Sequence, residues 1–262
     1  HLGEEYTRTT GRPVVPSSTH PTAHRYGTLL SWGYWDHGVI GWVPEFVPGP
    51  EEWVTDYDGD GEISEAESHR FNDQELGGRY FSPWKAFDHP QLGRVEIGGW
   101  HTKFWGQNPP PEFLEDETAK QMPWYLYVAE QSPLLEVTEP RVTAMGNGTF
   151  RVEVTLSNSG YLPTSLTDRG AVGEVRDDGT VRAPVVRPPW ATLEAVGAEV
   201  VDGTARRTVG HLAGSNPYLQ AVTERSRTVS WIVRPTDPGA SVRVVAGSDK
   251  AGVRRTAAVS LR

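Results

Sequence analysis

Asp56-Tyr57-Asp58-Gly59-Asp60-Gly61-Glu62-Ile63-Ser64-Glu65-Ala66-Glu67 is the stretch around which this 262-residue chain is organised. It matches every constrained position of an EF-hand calcium loop. Side-chain oxygens are due at loop positions 1, 3, 5 and 12, where Asp56, Asp58, Asp60 and Glu67 stand. Position 6 must turn at positive φ, and Gly61 fills it. Position 7 supplies a backbone carbonyl, here that of Glu62, and position 8 is the apolar anchor Ile63. Ser64 at position 9 is suited to hold a bridging water. Carboxylates crowded this closely repel one another unless a hard cation sits among them.

Ser64 and Glu67 also make a capping box, so a helix is expected to start there and run to about Phe71. Pro48-Gly49-Pro50 breaks the chain just before the loop and leaves room for about one entering turn. Sensor EF-hands come in pairs and expose a Met-rich groove. This chain has one such loop and two Met, so a structural calcium is expected rather than a switch.

The net charge of −9 argues against nucleic acid and anionic membrane surfaces as partners. No apolar run is long enough to span a membrane. Without cysteine, no disulfide or thiolate metal site is available. A lone calcium loop suits calcium-rich surroundings, so an extracellular or periplasmic location is expected. The chain starts at His1 and reads as a piece of something longer.

Eight of the ten Trp precede residue 130, so two different folds are expected in the two halves. The fold class expected is α+β and multidomain, with a boundary between 133 and 134. In the first half a short buried helix is expected over 25–34, ended by Gly38, and a buried strand over 39–47. Two short strands at 79–81 and 93–99 are expected to flank a loop at 84–90. A helix from Glu112 to Gln131 carries Pro123 as a kink or break. In the second half Thr149 to Leu156 alternates at period two behind an Asn147-Gly148 hairpin turn. Further short strands follow, and an all-β sandwich of about seven strands is expected over 134–262.

Gly27 to Tyr34, Gly38 and a strand ending in Glu45 resemble the last catalytic segment of the M14 zinc carboxypeptidases. The stretch from Trp84 to Trp100, following the calcium loop, is similar to a bacterial subset of that family. So is Asn158-Ser159-Gly160-Tyr161-Leu162-Pro163-Thr164, set in an immunoglobulin-like C-terminal domain. The resemblance implies that residues 1–133 are the last part of an α/β peptidase domain. It implies a zinc ion that polarises a scissile peptide carbonyl, and a Glu that takes the proton of an attacking water. No His-x-x-Glu exists in this chain, so the zinc ligands are expected upstream of it.

Glu45 is the first candidate for the general base, since a carboxylate at the end of a buried strand would have a raised pKa. Glu96, on a second strand-like segment, is its rival, and Tyr26 is the candidate substrate-binding tyrosine. The function expected is that of a fragment of a metallocarboxypeptidase, inactive alone, whose parent hydrolyses C-terminal peptide bonds. Its partners would be the upstream chain or further copies of itself, and a peptide substrate. The alternative is a non-catalytic, calcium-stabilised extracellular structural or filament subunit.

Overall fold

The structure is a computed structural model that describes residues 1–15, 27–46, 49–175, 178–218 and 221–262. The fold is α+β, in two compact units. One unit takes residues 1–14 and 43–127, and the other takes 15–42 and 128–262. Residues 15–42 therefore group with the second half of the chain, across the sequence-based boundary at 133/134.

The first unit begins with helix α1 (Leu2–Thr10), closed by Gly11 at φ 75°. A single 3-10 turn (Pro50–Glu52) enters the acidic loop of residues 56–67, as the Pro-Gly-Pro break requires. Helix α3 (Glu65–Glu75) leaves it behind the expected capping box and runs a turn longer than expected. Two antiparallel strands follow, β1 (Phe81–His89) and β2 (Gly93–Trp100). Helix α4 (Leu114–Glu130) runs across Pro123 as one element, and this unit ends within it. The core is small and aromatic: Val54, Phe71, Leu76, Tyr80 and Trp105 are buried, with Trp53, Tyr57, Ile63, Trp100 and Phe113 packed against them.

The loop expected at 84–90 is instead most of strand β1. The ladder shifts between Ser82 and Lys85, so Pro83 and Trp84 together oppose Gly98. Such a bulge tolerates Pro83, which has no N–H for the ladder. It also demands Gly98, where a Cβ would stand 2.7 Å from the Cα of Trp84.

In the second unit, helix α2 (Leu29–His37) is capped by Thr28 and closed by Gly38 at φ 62°. It is not the buried helix expected. Only Gly33 is buried, and Leu29, Trp32, Tyr34 and Trp35 are exposed. The strand expected over 39–47 is also absent from its described residues. Several of its ladder groups are engaged elsewhere or missing, and the Glu45 carbonyl accepts from Tyr6, Arg12 and Gln121. The Val39 N–H closes α2 on the Gly33 carbonyl, and Pro44 has no N–H. Gly41 packs so close under Leu30 that a Cβ would meet Leu30 Cδ2 at 2.5 Å.

The rest of this unit is a β-sandwich. Strand β5 (Thr149–Asn158) is the spine of the first sheet. On one side it pairs with β11 (Ser226–Pro235), which pairs with β9 (Ala198–Val200). Its other edge is shared by β3 (Leu135–Val137) and β4 (Arg141–Gly146). The β4–β5 turn carries Asn147 at φ 50° and Gly148 at φ 69°, the conformation the Asn-Gly pair favours. In the second sheet β12 (Ser241–Ser248) pairs with β8 (Trp190–Val196), and β8 with β10 (Arg206–Thr208). The far edge of β12 is shared by β13 (Gly252–Arg255) and β14 (Val259–Ser260). About seven strands were expected, and the two sheets hold five each, because two edges are split between successive short strands. Helix α5 (Asp168–Ala171) and a small hairpin of β6 (Glu174–Val175) and β7 (Val181–Arg182) stand outside the sheets. Leu135, Val152, Val154, Leu156, Trp231 and Val233 of the first sheet meet Ala191, Leu193, Val242, Val244 and Ala246 of the second in one core.

Candidate functional site

The loop of residues 56–67 brings together three of the four carboxylates that its spacing predicts. One oxygen each from Asp56, Asp58 and Asp60 lies within 4.8 Å of the others. Backbone N–H groups hold these side chains inward. Gly59 and Gly61 donate to the two oxygens of Asp56 at 2.6 and 2.9 Å, and Asp60 donates to Asp58 Oδ1 at 3.2 Å. The Glu62 N–H donates to Asp60 Oδ1 at 2.8 Å. Gly59 and Gly61 make the turn at φ 77° and 88°, where a Cβ would be strained. The side chain of Glu62 is exposed and takes no part, as expected of a carbonyl position.

Glu67 closes the loop at its base and lies outside the group of three. The Ser64 N–H and hydroxyl, and the N–H groups of Tyr57 and Asp58, hold its carboxyl down to about 2. One side chain thus ties loop positions 2 and 3 to the start of α3. Asp58 behaves in the opposite way. The Asp60 N–H favours its carboxylate, but desolvation and the charges of Asp60, Glu67 and Asp56 outweigh it and push the group up. The donor set is all hard oxygen and anionic, which fits calcium and not zinc. Among the described residues no other group of three or more His, Cys, Asp or Glu offers a metal site.

The loop is anchored in the core. Tyr57 and Ile63 pack against the aromatic cluster, and the Arg70 guanidinium lies 3.8 Å over the Tyr57 ring. His69 of α3 lies against both Phe81 and Trp100, at the base of the hairpin.

Glu45 and Glu96 do not join this site. Glu45 was expected at the end of a buried strand, but it is exposed in an irregular segment. Its backbone is what the fold grips. The Glu45 carbonyl accepts from Tyr6 Oη at 3.3 Å, Arg12 Nη1 at 3.5 Å and Gln121 Nε2 at 3.3 Å. Glu96 is exposed on β2, opposite Ala86. Tyr26 lies outside the described residues.

Two buried polar clusters escaped sequence reasoning. In the first unit Arg12 Nη2 bonds Glu52 at 3.0 Å and Glu117 at 2.6 Å, and Lys120 bonds Glu117 at 2.5 Å. Burial pushes the Glu117 carboxyl up, but the bonds and charges of Lys120 and Arg12 more than offset it and hold the group below its ordinary value. In the second unit the Asn158 side chain accepts from the N–H groups of Leu134 and Gly160 and donates to the Leu162 carbonyl. Nearby, the His211 ring is bonded to the Thr164 hydroxyl at 3.3 Å and the Val186 carbonyl at 3.2 Å. Burial pushes His211 down, only partly countered by the Val186 carbonyl. Asn before Ser-Gly was the one legible signal, since that side chain imitates a backbone turn.

Residues 134–259 match a family described as a domain of unknown function, DUF8731. No curated protein matches the chain. Among solved structures, half of the chain is similar to DesR, a β-glucosidase from Streptomyces venezuelae, at 18% identity and a TM-score of 0.23. The match covers 15% of that glucosidase. Half of the chain is also similar to the GAE domain of GGA2p from Saccharomyces cerevisiae, at 10% identity and a TM-score of 0.20, with 92% of that domain covered.

Proposed function

We propose that this chain is a calcium-stabilised portion of a secreted zinc-carboxypeptidase-like protein, with one calcium ion bound by residues 56–67. The observation that carries the calcium reading is the convergence of Asp56, Asp58 and Asp60, with Asp58 pushed up by its neighbours. A divalent cation reverses that repulsion and turns three costly charges into ligands. The side chains of Asp56, Asp58 and Asp60 and the Glu62 carbonyl would hold the ion, with Ser64 through a water and Glu67 completing the shell. Because Tyr57 and Ile63 belong to the core, a rigid loop also fixes α3 against the hairpin base.

The peptidase part of the reading rests on the resemblance of Gly27 to Glu45 and of Trp84 to Trp100. The residues described here do not form a zinc site, so no hydrolytic step is derived from them. Glu45 is the better candidate for a general base, because three donors immobilise its backbone while its carboxylate stays accessible. The same exposure favours a second reading, a calcium-stabilised module with no catalysis of its own.

Calorimetric titration of the chain with calcium tests the first claim. One site with a dissociation constant of about 10⁻⁴ M or tighter is expected. No heat and no change in melting temperature at millimolar calcium would refute it. Intact mass and metal content of the native material test the second claim. A longer chain carrying stoichiometric zinc supports the peptidase, and this chain with calcium alone supports the structural module.

A further inference from the structure

The short helix α5 holds a buried cation with no counter-charge among the described residues. Arg169 is 4% exposed, and among the described residues no carboxylate pairs with it. Its Nη1 donates to the carbonyls of Val172 and Ala183 at 3.1 and 3.0 Å. Its Nε and Nη2 are sealed from solvent and have no partner. Four residues earlier, Ser165 is 1% exposed and its hydroxyl also lacks a partner. An unpaired buried guanidinium is costly, and so is each unbonded donor beside it.

The unpartnered edge has a definite chemistry. Nε–H and the adjacent Nη2–H are parallel donors spaced for the two oxygens of a carboxylate. Among the described residues, three arginines use that same edge to hold a carboxylate by both oxygens: Arg8 on Glu5, Arg12 on Glu52 and Arg187 on Asp249. In Arg169 the same edge stays open.

The surroundings are fixed rather than loose. Leu166 adopts φ 65°, which is strained for a branched side chain. The Thr167 hydroxyl donates to the Gly38 carbonyl at 2.8 Å and accepts from the Gly170 N–H at 3.1 Å. Gly170 packs against the Ser165 carbonyl with no room for a Cβ. The Ala183 carbonyl that holds Nη1 follows directly on β7, so the short β6–β7 hairpin covers the guanidinium.

We propose that Arg169 is the centre of a binding site for a small planar carboxylate, gripped by Nε–H and Nη2–H.

The test is a titration of the ¹⁵N-labelled full chain with sodium acetate, following the arginine Nε–H resonances, against sodium chloride at equal ionic strength. A saturable shift of the Arg169 Nε–H with acetate alone is expected, with a rise in melting temperature of about 2–4 °C at about five times the dissociation constant. Arg169→Lys keeps the charge but not the fork, and is expected to weaken acetate at least about tenfold. An Arg169 resonance that stays still in acetate overturns the proposal without any variant. So does an equal shift in chloride, or an undiminished acetate response in Arg169→Lys.

Discussion

At the residue scale, Asp58 and Asn158 show how one side chain acts in opposite senses. Against the Asp60 N–H, desolvation and the charges of Asp60, Glu67 and Asp56 hold Asp58 above its ordinary value, so its ionised form opposes folding of the loop without a cation. Asp58→Asn should therefore raise the melting temperature in chelator and abolish the further rise that calcium gives the wild type. Scanning fluorimetry with and without calcium reads both effects, and a wild-type-like calcium response in the variant contradicts the ligand role. Asn158 is 2% exposed and bonds the backbone of Gly160 and Leu162 in its own turn and of the distant Leu134. Asn158→Ala leaves the part-buried Leu134 and Gly160 N–H groups without this acceptor and removes the buried bond to the Leu162 carbonyl, and a loss of about 2–4 kcal/mol in urea unfolding is expected. The convergence of Asp56, Asp58 and Asp60 was legible in the sequence because loop chemistry fixes residue type at each step. The role of Arg12 was not, because its partners Glu52 and Glu117 lie 40 and 105 residues away.

At the element scale, pH acts through different groups in the two units. Glu117 links the end of α1 to α4 through Arg12, and its pKa is depressed in the folded state. A depressed carboxyl contributes stability above its unfolded value of 4.5, and that stability is lost as pH falls through the folded value. Urea unfolding of the first unit at pH 7 and pH 3.5 should show this fall. Glu117→Gln should cost about 3–5 kcal/mol at pH 7, because Arg12 and Lys120 keep their charge without its counterpart. In the sandwich His211 is held neutral by burial between Thr164 and Val186. The unfolded chain takes up that proton below about 6.5, so sandwich stability should begin to fall there, before any carboxylate titrates. His211→Gln should flatten the melting temperature between pH 6.5 and 5. Elements were legible where one local rule decided them, as in the Ser64–Glu67 capping box and the Asn147-Gly148 turn. The strand expected at 39–47 failed because period and β-branching say nothing about whether a partner strand exists.

At the scale of the whole molecule, calcium should act on one unit and leave the other unchanged. At 10 mM calcium and a dissociation constant of about 10⁻⁴ M, the ion would stabilise the first unit by about 2.7 kcal/mol. Hydrogen exchange should then slow in peptides covering 53–81 and stay unchanged in β5 and β12. Equal slowing in the sandwich would show that calcium acts beyond the unit that binds it. What the sequence determined by itself was local: the acidic loop with its turn glycines, the helix caps, the Asn-Gly hairpin and the alternating strand β5. Each depends on residues a few positions apart, so composition and spacing suffice. Tertiary structure alone decided that residues 15–42 group with the sandwich, that Glu45 is exposed, that Trp84 lies on a bulged strand and that Arg169 is buried without an anion. Those outcomes depend on which distant groups meet and on which surfaces are left uncovered, and burial energy is a property of the assembled chain, not of any window along it.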